Sequence, residues 1–367
     1  MSKLENLIAE HCPNGVEYKE VREICTIYKG IQFNKSNMQK HGTYPVINGG
    51  INPSGYIEQY NCDENTITIA QGGAAGYVNF IETKFWAGAH CYTIKPKKEI
   101  NNRFLYHFLK ANETKLQELK YGTTILSLSK NSIETLLIPF PPLSVQCEIV
   151  RILDNFTELT KQLTQELTAR KKQYEYYRDS LLSFKKSEGG VILKQVGEIC
   201  TVQRGDQCNK SNMQKHRTYP VINGGINPSG YIEQYNCDEN TITVANGGAS
   251  AGYVNFISTK FWLGADCFSI KPKSEIHNKY LFHFLKSNEF KLKNYQYGAA
   301  IPHLQRNTIT SLEIPIPPIK IQERIVKILD NFEKICNDLK IGLPAEIEAR
   351  QKQYEFYRDK LLSFKQT

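Results

Sequence analysis

Amide, ammonium and hydroxyl side chains recur in the loops of this sequence, at corresponding places in its two halves. Such groups donate hydrogen bonds to phosphate oxygens, and amides and cations also read the edges of nucleic-acid bases. We therefore interpret these loops as candidate nucleic-acid contacts, although Asn and Ser also serve as plain turn formers. The candidates in the first half are Asn34, Lys35, Ser36, Asn48, Gln71, Gly72, His90, Thr123, Ser127 and Lys130, and those in the second half are Asn209, Lys210, Ser211, Asn223, Asn246, Gly247, Asp266, His303, Gln305 and Arg306.

Several candidates differ between the two halves. His90 stands where the second half has Asp266, and Lys130 stands where it has Arg306. A catalytic residue would not be expected to change so freely, whereas an exchange of Lys for Arg alters the geometry of a base contact. Drift in surface loops would produce the same changes. These positions therefore mark where any difference in binding between the halves is encoded.

The motifs of common catalytic sites are missing. The sequence has no G-x-x-x-x-G-K-[ST] phosphate loop, and its Gly-Gly pairs lack the G-x-G-x-x-G pattern of a dinucleotide site. Asn52–Tyr56 is similar to the base-holding loop of amino-methyltransferases, but the second proline of that loop is absent. Ten cysteines include no C-x-x-C pair. We therefore predict a binding protein without a catalytic site, metal or cofactor.

The chain contains a long internal duplication. Residues 34–69 recur at 209–244 with two changes, Gly42 to Arg217 and Ile69 to Val244. The repeat extends to 136–156 with 312–332, and to 172–185 with 352–365. Each unit is about half the protein, which is too long for a solenoid repeat. Two copies of one structure with one task are expected.

Each half begins with short segments rich in Tyr, Val, Ile, Thr and Phe, separated by Gly, Asn and Pro turns, which is typical of strands. A helix is predicted over Arg103–Leu119. The predicted strands of the first half are 43–49, 54–60, 65–73, 76–81, 85–96 and 135–140.

Long helices follow Pro141-Pro142 and its copy Pro317-Pro318. From Val145 to about Lys185 the apolar residues recur in steps of three and four, as in a coiled-coil seam roughly 60 Å long. The second helix is interrupted near Gly342 and Pro344, a stop and restart signal. Lys185–Gly190 is read as a polar linker, and Ser2–His11 as a helical turn. The two seams comprise Ile149, Ile152, Phe156, Leu159, Leu163, Leu167, Tyr174, Tyr177, Leu181 and Phe184, and Ile325, Ile328, Phe332, Ile335, Leu339, Tyr354, Tyr357, Leu361 and Phe364.

Composition is that of a globular protein. The 367 residues are 40% hydrophobic and 23% charged, with a formal net charge of +9 that weakly favours polyanionic partners. No apolar run approaches the length of a membrane span, and the N-terminus lacks the features of a signal peptide. We expect a soluble, cytoplasmic protein.

Several strings carry a resemblance to a known family. They are the opening SKLENLIAEHCPNGVEYKEV, the junctions Ile138–Gln146 and Ile314–Gln322, and the helix ends KQYEYYRDSLLSFK and KQYEFYRDKLLSFK. Over essentially its whole length the chain resembles the specificity subunits of type I restriction-modification systems.

The resemblance implies an α+β fold in which two similar β-rich target recognition domains are separated by a long antiparallel two-helix coiled coil. Each domain would read one half of a bipartite double-stranded DNA target. Two methylation subunits would dock on the helices, and restriction and translocation subunits would join through the complex. The implied boundaries are 1–15 for an N-terminal helical segment, 16–142 and 187–318 for the recognition domains, and 143–186 and 319–367 for the helical regions.

Near-identical domains are expected to read near-identical half-sites, inverted about a spacer, because a protein with twofold symmetry binds such targets. Two other classes of protein stay open. One is a self-contained DNA methyltransferase or nuclease, which the missing motifs disfavour. The other is a sequence-specific DNA-binding protein that needs no partner.

Overall fold

A computed structural model describes residues 3–124, 126–184, 191–273, 275–298, 302–338 and 341–367. The chain folds into two compact units. Unit 1 comprises the residues up to Leu163 together with Glu346–Thr367, and unit 2 comprises Thr164–Ala345. The predicted linker Lys185–Gly190 and the seam residue Leu339 lie outside the described residues. None of the helices in the described ranges is both long and apolar enough to cross a bilayer.

The first half of the chain forms the predicted strands, except that 85–96 is two short strands, and it also has short elements that were not predicted. A 3-10 turn spans Lys35–Asn37. The elements are α1 (Lys3–His11), β1 (Tyr18–Glu20), α2 (Val21–Ile24), β2 (Cys25–Lys29), β3 (Tyr44–Ile47), β4 (Tyr56–Ile57), β5 (Thr66–Ala70), β6 (Val78–Ile81), β7 (Trp86–Ala87), β8 (Cys91–Pro96), α3 (Asn102–Ala111), α4 (Glu113–Glu118), α5 (Lys130–Glu134), β9 (Leu137–Pro139) and α6 (Leu143–Leu181).

The second half repeats this order, except that the described residues before its first strand include no counterpart of α1. A second 3-10 turn spans Lys210–Asn212. The elements are β10 (Ile192–Gln195), α7 (Val196–Ile199), β11 (Cys200–Arg204), β12 (Tyr219–Ile222), β13 (Tyr231–Ile232), β14 (Thr241–Ala245), β15 (Val254–Ile257), β16 (Trp262–Leu263), β17 (Cys267–Pro272), α8 (Asn278–Ser287), α9 (Glu289–Asn294), α10 (Arg306–Thr310), β18 (Glu313–Ile316), α11 (Ile319–Asn337) and α12 (Leu343–Leu361).

The two β-rich domains share one topology. Unit 1 has a four-stranded sheet in the order β2-β8-β5-β6, a three-stranded sheet β4-β3-β7 and the pair β1-β9. Unit 2 has the corresponding sheets β11-β17-β14-β15, β13-β12-β16 and β10-β18. Even the register repeats, since Ile67 pairs with Ile94 and Ile242 pairs with Ile270. The α+β class and the pair of similar β-rich domains are confirmed.

Each four-stranded sheet packs one face against a helix. In unit 1, Ile67 and Ile94 of the sheet share a core with Phe104, Leu105 and Leu109 of α3, and all are buried. Burying such a side chain contributes about 1.5–3 kcal/mol. This shared core fixes the sheet, and with it the ends of the strands from which the loops begin.

The predicted helix over Arg103–Leu119 is wrong in one respect, because it is two helices. The chain breaks at Asn112, between α3 and α4. The Asn112 side chain donates to the Phe108 carbonyl at 2.9 Å, and the Glu113 carboxylate accepts from the Val78 N–H at 2.8 Å. These local bonds compete with the helical backbone bonds and stop the helix.

The long helices are close to prediction. Helix α6 has 39 residues and ends at Leu181, somewhat before the predicted end. In unit 1 the rings of Phe156 and Tyr357 stack at 5.3 Å, and in unit 2 those of Phe332 and Tyr177 stack at 5.6 Å. The predicted interruption is confirmed, because α11 and α12 are separate helices on either side of Gly342.

A buried histidine lies on α3 in unit 1 and on α8 in unit 2. In unit 1, His107 is 0% exposed, with Nε2 2.9 Å from an Asp154 oxygen and Nδ1 2.9 Å from the Tyr354 hydroxyl. Burial lowers the pKa of His107 despite the nearby carboxylate, so the neutral ring donates to Asp154 and accepts from Tyr354. In unit 2, His283 contacts Asp330 alike, but its Nδ1 has no hydrogen-bond partner among the described residues.

Replacement of Tyr354 by phenylalanine is expected to destabilise unit 1 by about 1–2 kcal/mol, because it leaves a buried acceptor on His107 without a donor. The matched change, Tyr174→Phe in unit 2, removes a hydroxyl for which no bond to His283 exists, so we expect a cost below about 0.5 kcal/mol. Hydrogen-exchange mass spectrometry of α3 and α8 measures both effects. Equal loss of protection in the two helices would contradict the assigned bond.

Candidate nucleic-acid interface

Five of the predicted residues in each unit meet at one end of the sheets. We call this group the edge cluster. Residue Asn48 follows β3, Gln71 and Gly72 follow β5, and His90 precedes β8. Ser127 comes from a loop and forms a β-bridge with Gly72. The edge cluster is Asn48, Gln71, Gly72, His90 and Ser127 in unit 1, and Asn223, Asn246, Gly247, Asp266 and His303 in unit 2.

Backbone hydrogen bonds hold the edge cluster together. The Gln71 N–H donates to the His90 carbonyl at 2.8 Å, and the Leu128 N–H donates to the Gln71 carbonyl at 2.7 Å. The Asn48 side-chain oxygen accepts from the His90 N–H at 2.8 Å. Asn48 is therefore occupied with positioning His90. The edge cluster is therefore one preorganised surface built on four segments of the chain.

The turn after β3 lies against the loop after β5 with no space for a side chain. A Cβ placed on Gly49 would lie 2.2 Å from the Gly72 carbonyl oxygen. The Ala74 N–H donates to the Gly49 carbonyl at 2.7 Å, which fixes this approach. Glycine is required at this position because the two backbones touch.

In unit 2 the edge cluster carries different chemistry. Asp266 replaces the imidazole of His90 with a carboxylate, and its N–H donates to the Asn223 side-chain oxygen at 2.8 Å. The Asn223 side-chain amide in turn donates to Asp266 at 3.3 Å. His303 occupies the place of Ser127, bridged to Gly247. The two positions that carry an imidazole and a hydroxyl in unit 1 therefore carry a carboxylate and an imidazole in unit 2.

Two buried acceptors of the edge clusters lack partners. The side-chain oxygens of Gln71 and Asn246 are buried and accept no hydrogen bond from the described residues. Buried polar atoms are nearly always hydrogen-bonded in folded proteins, so each oxygen is open to a water or an added donor.

Asn34, Lys35 and Ser36 lie apart from the edge cluster, on the exposed 3-10 turn before β3. Their copies Asn209, Lys210 and Ser211 are placed alike in unit 2. Within the described part of the chain, no hydrogen bond joins these turns to the edge clusters. They offer exposed ammonium, amide and hydroxyl groups of the kind that phosphates accept from.

The remaining candidates surround the start of α5 and of α10. Thr123 is exposed on the loop that leads to Ser127. Lys130 begins α5, and its ammonium lies 3.1 Å from the Glu134 carboxylate. Gln305 is the N-cap residue of α10, and Arg306 is its exposed first residue. The Lys130 ammonium is thus already paired with a carboxylate, whereas the Arg306 side chain is exposed.

Sequence reasoning missed Tyr121 and its counterpart Tyr297. Each closes a loop by exchanging two backbone hydrogen bonds, Tyr121 with Ser127 and Tyr297 with His303. Tyr121 is 56% exposed, and the Tyr297 ring lies 5.9 Å from that of His303. A tyrosine directly before glycine in a polar loop was the available signal. Both rings adjoin the edge clusters.

His283, Asp330 and Glu333 are the one group in the described residues with the spacing of a metal site. The Lys279 ammonium already lies 2.7 Å from one Asp330 oxygen, and His283 lies 2.9 Å from the other. A metal ion would have to displace that cation, so the ion-pair role accounts for the group without a metal.

Comparisons with known proteins agree with the architecture. The family model described as the type I restriction modification DNA specificity domain matches residues 13–169 and 190–349. A putative type I restriction enzyme specificity subunit of Haemophilus influenzae is 33% identical, over 95% of this chain and 96% of its own length. The specificity subunit of the EcoR124I/EcoR124II enzymes of Escherichia coli is 36% identical over 65% of each chain.

A solved structure shows the same fold. It is the crystal structure of a type I restriction-modification S subunit from M. genitalium, with a TM-score of 0.69 and 21% identity. The likeness covers 95% of this chain and 97% of that one.

Proposed function

Because this chain belongs to the family of type I restriction-modification DNA specificity subunits, we propose that each of its units reads one half of a bipartite double-stranded DNA target. Specificity subunits are the non-catalytic members of their complexes. The observation that carries the proposal is the recurrence of one edge cluster, on one topology, in both units. Amides, cations and hydroxyls gathered on a rigid edge are suited to base and phosphate contacts.

The arms of the target should be inverted near-copies around a nonspecific spacer. This follows from the segments 34–69 and 209–244, which differ at two positions, so the candidate contacts Asn34, Lys35, Ser36 and Asn48 recur unchanged in the second unit. Outside these segments the candidate contacts do differ, because Gln71, His90, Ser127 and Lys130 give way to Asn246, Asp266, His303 and Arg306. Any base that differs between the arms is therefore assigned to these four pairs.

The helices complete the proposed function. We assign to α6, α11 and α12 the spacing of the two half-sites and the docking of two methylation subunits, with restriction and translocation subunits joining through the complex in the cytoplasm. Support comes from the half-exposed apolar seam, since Tyr177 and Ile335 remain partly accessible. The relatives named above are likewise subunits of type I restriction enzymes.

Methylation mapping tests the proposal. The chain is expressed with and without the methylation subunits of its own system in a host lacking adenine methylation, and modified adenines are mapped genome-wide. We expect a two-part motif with inverted similar arms, present only when all subunits are expressed. Unrelated arms would refute the duplicated reading, and methylation by the chain alone would refute the non-catalytic role. Specific DNA binding by the isolated chain without any methylation partner would favour a partner-independent DNA-binding protein.

Removal of Arg306 is expected to relax one position of the second arm. A guanidinium that meets a guanine edge contributes about 1–3 kcal/mol of discrimination. Lys130→Ala is the matched change, and its effect should be smaller because Glu134 already pairs with that ammonium. Affinity of the assembled complex for targets substituted at single positions measures both. Uniform weakening on all sequences with a flatter salt dependence would instead show a phosphate contact.

A further inference from the structure

Helix α1 covers a surface of unit 1 whose counterpart in unit 2 is exposed and is covered by no helix of the described residues. Leu4 of α1 is buried in the same core as Val145, Ile149 and Leu362. The Lys3 ammonium lies 2.9 Å from a Glu148 oxygen on α6. Val145 and Glu148 are one turn apart on that helix and share a face. The first turn of α1 therefore lies on the beginning of α6.

The covered face is closed to solvent. Val145 is 0% exposed and the Glu148 side chain is 4% exposed. Hydrogen bonds from Arg151 and Lys3 lower the pKa of Glu148 to about 2, so this carboxylate is charged and needs its cations.

The equivalent face of α11 can be identified through a shared contact. Gln146 of α6 and Gln322 of α11 are both buried, and each side-chain amide donates to the carbonyl of a preceding proline at 2.8 Å. Each side-chain oxygen accepts from the residue before α3 or α8, Asn101 in one unit and His277 in the other. The two helix starts are therefore in register, and Ile321 and Arg324 correspond to Val145 and Glu148.

On α11 this face is open. Ile321 is 42% exposed, where Val145 is fully buried. Arg324 is exposed, and Lys320 and Lys327 lie on the same side of the helix. Among the described residues none of these three cations forms an ion pair. The open face, defined as Lys320, Ile321, Arg324 and Lys327, thus combines an apolar centre with three unpaired positive charges.

We propose that the open face binds an amphipathic helix of a partner protein, which lies on α11 as α1 lies on α6 and presents a carboxylate to Arg324. Unit 1 shows that this surface of the shared topology can bind a helix, because α1 packs on the corresponding part of α6. The three cations of the open face favour a partner helix that carries acidic side chains. The α1 helix of a second copy would bring Lys3 against Arg324, so like charges disfavour self-association through this face.

The proposal does not depend on the DNA target, and stapled peptides test it on the full chain. One peptide has the sequence of α1, and the other is the same peptide with Lys3→Glu. Stapling is needed because nine residues do not hold a helix in water. Fluorescence anisotropy measures the affinity of each labelled peptide. We expect the Lys3→Glu peptide to bind about fivefold more tightly than the native one, which is the ratio that one exchanged ion pair provides.

The Arg324→Glu chain should reverse this preference, because its carboxylate then pairs with Lys3 of the native peptide. Lys334→Glu is the matched control, since Lys334 is an exposed cation of α11 ten residues further along. It should leave the preference unchanged. The proposal is refuted if neither peptide binds, if Arg324→Glu leaves the ratio as it was, or if Lys334→Glu reverses it equally. Circular dichroism confirms that both variants are folded.

Discussion

Replacement of Asp154 by alanine is expected to lower the free energy of unfolding of unit 1 by about 2–3 kcal/mol, because it leaves partly buried charged and polar groups unpaired. Its carboxylate bonds the buried His107 and also Arg103, whose Nε lies 3.1 Å away. Complete burial would make the loss larger, but Asp154 is 35% exposed. Both helices that meet here, α3 and α6, should lose hydrogen-exchange protection.

The effect of Asp154 also depends on pH. Burial raises the pKa of Asp154, but hydrogen bonds from His107 and Arg103 outweigh it and lower the pKa below its usual value. Its contribution is therefore present above the pKa of the unfolded chain and is lost as the pH falls through that of the folded chain. Urea unfolding at pH 7 and at pH 3 measures this. Asp179, which is exposed and paired with Arg178, is the control, and an equal cost for Asp179→Ala would contradict the prediction.

Replacement of Gly49 by alanine is expected to cost about 1–3 kcal/mol and to disrupt the first edge cluster. The new Cβ would lie 2.2 Å from the Gly72 carbonyl oxygen, and backbone cannot move aside cheaply. The strain should push the turn after β3 away from Gly72 and His90. In the assembled complex we expect methylation to lose dependence on one arm of the target, together with lower activity.

The adjacent glycine provides the control for this prediction. A Cβ on Gly50 would meet nothing closer than the Asn52 carbonyl oxygen at 3.4 Å, so Gly50→Ala should be tolerated. Gly224→Ala, with its Cβ 2.3 Å from the Gly247 oxygen, should produce the same defect in the other arm. If Gly49→Ala and Gly50→Ala had equal effects on stability and on the methylated motif, the close approach would have no functional role.

Much of the fold was predictable from local pattern. Short β-branched and aromatic runs bounded by Gly, Asn and Pro predicted the strands, and the three-four spacing after Pro141-Pro142 predicted α6. The helix break near Gly342 followed from glycine and proline chemistry. Each of these features depends on residues that are only a few positions apart in the chain, and it can therefore be predicted from a single sequence.

The candidate site was less predictable, since it depends on contacts distant in sequence. The sequence predicted the residues of the edge cluster as loop positions, but it could not show that the Asn48 side chain accepts from the His90 N–H across 42 residues. The break at Asn112 depends on a bond from Val78 to Glu113, which no helical period reveals. Whether the chosen residues contact DNA stays a prediction.

Unit 1 is built from two separate stretches of the chain, and this determines the order in which the two units can fold during synthesis. Unit 2 is one continuous stretch, Thr164–Ala345, and can complete its core while translation is still under way. Unit 1 cannot, because its core includes Tyr354 and Leu362, and the Val16 N–H pairs with the Lys365 carbonyl at 2.9 Å. A frameshift or premature stop after residue 345 would therefore leave the edge cluster of unit 1 in the chain but remove part of the core on which it is built. The domain synthesised first is the last to mature.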